Sequence, residues 1–120
     1  MPTDRPTAAE LVEAVREFLT DHVGPNVEGQ LAFHARVAAN ALAIVERTLA
    51  EGGAMDQAEA ERLRDLLGRD GDLEELNRDL SRRIRAGEAI GDGGALLEHL
   101  RRTVQDKVQL ANPRYLTPRD

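Results

Sequence analysis

Cysteine is absent from the 120-residue chain. That excludes a disulfide and a thiolate metal site, and with them any sign of an oxidising compartment. Tryptophan is absent too, and the aromatic residues, 2% of the chain, are Phe18, Phe33 and Tyr115. A core must therefore come from Leu, Val, Ile and Ala, which suits helices packed closely. Lysine occurs once, at Lys107, against fifteen arginines. This Arg bias, with much Ala, Gly and Asp, is the composition that a GC-rich bacterial genome encodes. No apolar run approaches the ~20 residues that a membrane-spanning helix needs. The opening MPTDRPTAAE has no apolar stretch behind a basic one, so it does not read as a signal peptide. The expected location is cytoplasmic.

What is present is a globular balance of 41% hydrophobic and 32% charged residues. The length fits one helical domain over 1–120, with a core over 7–111 and an extended tail over 112–120. The net charge of −6 is uneven: residues 1–81 hold 8 basic and 17 acidic side chains (−9), and residues 82–120 hold 8 and 5 (+3). An acidic chain with few aromatics is a poor nucleic-acid ligand, even allowing for Arg82, Arg83, Arg85, Arg101 and Arg102. Neither nucleic acid nor membrane is an expected partner.

The periodicity is helical throughout, and no segment alternates with period two. Five helices are expected. Thr7 and Glu10 have capping-box spacing ahead of the first, which Gly24-Pro25 stops. Asn26 is placed to cap the second, over about 27–51, with Gly52-Gly53 at its end. Asp56 and Glu59 open the third, which runs to residue 67. Asp72 and Glu75 open the fourth, closed by Gly87. GDGG at 91–94, with Asp92 as the cap, leads into the fifth, over 95–110, whose apolar face is Leu96, Leu97, Leu100, Val104 and Val108. Helix two is the unusual one. Leu31, Ala35, Ala38, Leu42, Val45 and Leu49 form one apolar row, and Phe33, Val37, Ala41 and Ile44 a second. Together they exceed the ~100° stripe of a surface helix. The expectation is an all-α bundle of about five helices around this central one.

Chemical motifs are scarce. A di-iron bundle needs Glu-x-x-His pairs, but His22, His34 and His99 each have Leu three residues before them. No metal site and no cofactor are expected. Ser81 lacks a nucleophile elbow, and GDGG lacks the Lys and the preceding strand of a phosphate loop. No catalytic residue is assigned, and the chain is read as more an interaction protein than an enzyme. One constellation stands out: Arg36, Asn40 and Arg47 fall within about 40° of one another on helix two. They either meet solvent and neighbouring carboxylates, or line a groove that holds an anionic ligand. His34, among apolar neighbours, is expected to be a buried, singly hydrogen-bonded histidine. Lys107, within the helix-five stripe, is expected to make a structural ion pair.

The runs LAFHARVAANALAIVER at 31–47, DLEELNRDLSRRIRAG at 72–87 and LLEHLRRTVQDKVQLANPRY at 96–115 resemble an uncharacterised bacterial family, domain-of-unknown-function family 6285. The likeness extends from Thr7 to Tyr115. The resemblance implies an accessory role in acyl or hydroxyacyl catabolism, because members are often encoded beside aminoglycoside-phosphotransferase-like kinases and acyl-CoA dehydrogenases. It implies no reaction and no catalytic residues. The expected function is a non-enzymatic helical module that docks on a phosphotransferase-like or acyl-CoA dehydrogenase-like protein, or on a second copy of itself. The alternative is a domain, or weak enzyme, that binds a small anion through Arg36, Asn40 and Arg47.

Overall fold

A computed structural model describes residues 5–116. The described residues are all-α, with no strand. Five α-helices follow in order: α1 (Ala8–Phe18), α2 (Gly29–Arg47), α3 (Gly53–Leu67), α4 (Leu73–Arg85) and α5 (Gly93–Ala111). The chain divides into two compact units, Met1–Gly52 and Gly53–Asp120.

In the first unit, Thr7 and Glu10 form the expected capping box, each side chain taking the other's backbone amide. Beyond α1 the coil widens into a π-helical turn, Leu19–Val23, and then tightens into the 3-10 turn Gly24–Asn26. Asn26 does not cap α2. Its side-chain amide donates to the His22 carbonyl at 2.6 Å, satisfying an acceptor that the preceding turn leaves free. Val27 and Glu28 are extended, and α2 starts at Gly29. Nor do Gly52-Gly53 end a helix. A π-helical turn, Thr48–Gly52, runs directly into α3, and neither glycine has a positive φ. A helical glycine costs only about 1 kcal/mol against alanine, so the pair is no stop. With no break there, Asp56 falls inside the first turn of α3 rather than before it.

α1 packs on α2. The side of α2 that loses solvent is built from Ala32, Ala35, Ala39, Leu42, Ala43 and Glu46, at helical spacing. Val12, Arg16, Leu19 and Val23 are the matching half-buried positions preceding it. The Arg16 guanidinium takes the Glu46 carboxylate in a partly buried pair, which holds Arg16 more firmly protonated than usual. Among the described residues of this unit only Ala35 and Gly52 are buried. The sequence expectation that α2 is enclosed by its neighbours therefore fails at its large side chains. Phe33, Val37 and Ile44 lie within about 40° of each other, turned away from the alanine side, and are 53%, 48% and 38% exposed.

The second unit holds the closed core: Leu63, Leu67, Leu76, Leu80 and Ile90. Leu63 and Leu76 are fully buried. α3 packs against both α4 and α5. Asp72 caps α4 by accepting from the Glu75 amide at 2.9 Å, and Asp92 caps α5 by accepting from the Ala95 amide at 2.7 Å. Gly87 closes α4 at φ +72°, a left-handed conformation that disfavours any side chain. The Gly87 amide reaches the Ile84 carbonyl, and the Glu88 amide reaches that of Arg83.

Asp79 on α4 is buried among arginines. Arg82 donates to it at 2.6 Å, Arg83 lies 3.0 Å away and Arg69, from the α3–α4 turn, 3.6 Å. The Arg82 hydrogen bond, aided by Arg83, holds the Asp79 carboxyl below the usual carboxylate range. Arg83 also donates to the Leu67 carbonyl, and Arg64 to that of Gly71, tying down the end of α3 and the turn after it. The tail departs from the extended form expected of it: Pro113–Leu116 is a 3-10 turn, because proline's fixed φ also suits a tight helical start. The rest of the expected tail, 117–120, lies outside the described residues.

Leu76→Ala is expected to destabilise the second unit by about 2–5 kcal/mol, read as a lowered urea midpoint. Gly87→Ala is expected to cost about 1–2 kcal/mol, the penalty for a Cβ in left-handed backbone. Equal midpoints for wild type and Gly87→Ala would place that turn elsewhere.

Candidate functional site

α2 presents its polar stripe beside the alanine side. The π-helical turn carries Leu19 and Thr20 against it, and Gly24-Pro25 turns the chain back, so that a groove of about 400 Å³ forms within the first unit. Ala32, Ala35 and Ala39 form its floor, Leu19, Thr20, Gly24 and Pro25 face them, and Arg36 and Asn40 stand at its edge. Gly24 sits close to the turn before it: a Cβ there would lie 3.3 Å from the Leu19 carbonyl oxygen, a backbone atom that would have to give by a few tenths of an ångström.

The Arg36 guanidinium and the Asn40 carboxamide are one helical turn apart, and both are exposed. Neither makes an ion pair or side-chain hydrogen bond among the described residues, and no carboxylate lines the groove. Two other arginines of this unit are consumed, Arg5 by Glu10 and Arg16 by Glu46. Arg47 leaves the constellation. It is half-buried, has interactions of its own and does not line the groove. Three residues that share a side of the helix in the sequence thus resolve into a pair at the groove and one residue engaged elsewhere.

The two other polar residues singled out in the sequence are placed differently from expectation. His34 is exposed, not buried, and rests edge-to-face on Phe33 with ring centroids 5.6 Å apart. The packed side of α2 is the alanine side, and His34 is not on it. Lys107 is exposed and makes no ion pair among the described residues. It does not have to, since the stripe that was expected to bury it is open: Leu97, Leu100 and Val104 are 60%, 40% and 59% exposed.

α5 instead turns a different side inward, rotated by about one residue. Leu96, His99, Thr103, Asp106 and Leu110, with Val108 and Gln109 near its end, are its buried or half-buried positions. The buried histidine of the protein is therefore His99, 4% exposed. Its Nδ1 accepts from Arg62 Nε at 3.2 Å, and the same guanidinium donates to Thr103 Oγ1 at 3.4 Å. Accepting at Nδ1 places the ring proton on Nε2. Desolvation, with the nearby Arg62 charge, lowers the His99 pKa below its usual 6.5 and keeps the ring neutral. A surface depression of about 420 Å³, edged by Arg62, Asp65, Asp92 and Glu98, opens beside it. Sequence periodicity missed this niche because His99 and Thr103 interrupt the apolar pattern at the positions that pack.

No three His, Asp or Glu side chains among the described residues come together as metal ligands. Ser81 is an exposed residue of the α4 surface. No helix of the described residues is long and apolar enough to cross a membrane.

Because the folded chain binds a proton at His99 less readily than the unfolded chain, the neutral ring's contribution to stability is full above pH 6.5 and is lost as pH falls below it. Thermal melting is expected to show a falling midpoint across that window, and His99→Gln, which cannot titrate, to show a flatter profile. A His99→Gln profile parallel to wild type would assign the acid sensitivity to another group.

No curated protein and no solved structure matches the chain. Residues 25–115 match the family described as a domain of unknown function, DUF6285. That span includes α2 to α5 and one wall of the groove, and stops short of α1. It covers more than half of the 120 residues, and the chain belongs to the DUF6285 family.

Proposed function

We propose that the protein is a helical interaction module that self-associates through the apolar surface of its first unit. The observation that carries this reading is the exposure of Phe33, Val37 and Ile44 on α2, together with Leu11, Val15 and Phe18 on α1, each at helical spacing. Exposed apolar rows of this kind mark an interface. A hairpin of two helices buries too little to be well sealed by itself. Two such hairpins pairing about a two-fold axis make a four-helix arrangement in which each apolar row covers the other. A second copy supplies that complement with no further component.

The family resemblance suggests a second occupant for the same surface, a phosphotransferase-like kinase, and an accessory role beside it. Both occupants need the same α2 row. The polar groups of this face are few: Arg36 and Asn40 lie to one side of the Phe33–Val37–Ile44 row, and His34 to the other.

Sedimentation velocity on the purified full-length chain is expected to give a dimer. Val37→Glu, which places a charge at the centre of the row without touching the alanine side, is expected to give a monomer of unchanged helical content. A chain that stays monomeric at every concentration, and that does not sediment with a phosphotransferase-like kinase, would falsify the reading.

A further inference from the structure

We infer that the groove beside Arg36 is a binding site for a small organic monoanion: a carboxylate on a short aliphatic stem. The inference rests on the groove and not on self-association. The cation comes first. Residues 1–52 carry eight carboxylates and four arginines, a net −4, yet among the described residues the Arg36 guanidinium engages no acid. In so acidic a unit, an arginine aimed at an uncharged niche keeps its donors available. Its planar fork matches a carboxylate through two parallel hydrogen bonds. Asn40, one turn further along α2, adds amide donors at the same edge, and Thr20 brings a hydroxyl from the opposite wall.

The walls define the remainder of the ligand. Leu19, Pro25, Ala32, Ala35 and Ala39 are apolar, and they supply most of the surface that lines the groove. A volume of about 400 Å³ lies at the small end of the usual range for ligand sites, roughly 300–1,000 Å³. An aliphatic stem of a few carbons fits against alanine methyls, whereas a sugar or nucleotide would strand its hydroxyls there. The charge excludes a dianion on the same grounds. A phosphate monoester carries about −1.5 to −2 at neutral pH. One guanidinium balances one negative charge, and the excess would face a net-negative surface. The π-helical turn at 19–23 belongs to the same construction. It spreads the backbone where Leu19 and Thr20 reach the groove, and such turns often accompany functional sites.

The test is a titration of the isotope-labelled full-length chain followed through its backbone amide resonances. The probe is sodium butyrate, with inorganic phosphate and butylammonium chloride as parallel arms at matched ionic strength. Butyrate is expected to give saturable shifts confined to residues 19–25 and 32–40, with phosphate at least tenfold weaker and butylammonium inert. Arg36→Gln, an exposed substitution, is expected to weaken butyrate at least tenfold, and Arg36→Lys to fall between, since it keeps the charge without the fork. Ala39→Leu fills the floor and is expected to block binding with Arg36 in place. The inference is overturned if the butyrate shifts are non-saturable or spread over the chain, if they persist in Arg36→Gln, or if phosphate binds as well as butyrate. Sedimentation of Arg36→Gln separates the two proposals: it is expected to remain a dimer while losing butyrate.

Discussion

Helices that meet across alanines come close but bury little. That constraint governs the first unit. Ala32, Ala35, Ala39 and Ala43 line the side of α2 that loses solvent, and each removes only a methyl group's worth of apolar area from water. At roughly 25 cal/mol per Å², such an interface contributes far less than the same length of leucine. The larger side chains of α2 stand on other sides, so its apolar surface is left facing outward and a groove survives between short side chains. A leucine at Ala35 or Ala39 would fill that groove. The scarcity of bulk is thus what leaves this unit with both an outward apolar row and an open groove.

The second unit is organised in the opposite way. Leu63 and Leu76 are sealed from solvent, and polar groups are admitted to the interior only where arginine meets them: Asp79 among Arg69, Arg82 and Arg83, and His99 against Arg62. Arginine suits this because its stem packs against apolar neighbours while its head supplies several donors. With a single lysine in the chain, the burden of orienting buried acceptors falls on guanidinium groups whose charge does not titrate in the working range. His99 is then the group whose protonation the interior opposes.

Much of this was legible in the sequence, and the failures share a cause. The Thr7–Glu10 box, the Asp72 and Asp92 caps, and the Gly87 stop are local devices. Each depends on residues within a turn of one another, and each stands where periodicity placed it. The Gly52-Gly53 stop did not hold, because glycine permits a helix end without enforcing one and tertiary context decides. Which side of a helix is buried is not a local property. Apolar counting put His34 inside and gave Lys107 an ion pair within an apolar stripe, but α2 packs on its alanines and α5 on a side that includes His99 and Thr103. Alanine and threonine weigh little in a hydrophobicity pattern, and the Arg62–His99 bond spans 37 positions, beyond the reach of any spacing rule. The Arg36–Asn40 pair was visible as a stripe. Its groove was not, because the opposite wall comes from a π-helical turn with no sequence signature.

That turn also sets a register. Its hydrogen bonds span one residue more than those of an α-helix, so the stretch 19–23 holds the equivalent of a one-residue insertion. Removing a single residue there would restore regular α-helix and rotate everything that follows by about 100°. Gly24 and Pro25 would swing off the alanine floor, and the wall facing Arg36 would be lost with no change to any residue of α2. In this chain, the number of residues between positions 18 and 24 is therefore as much a determinant of the groove as the identity of the side chains that line it.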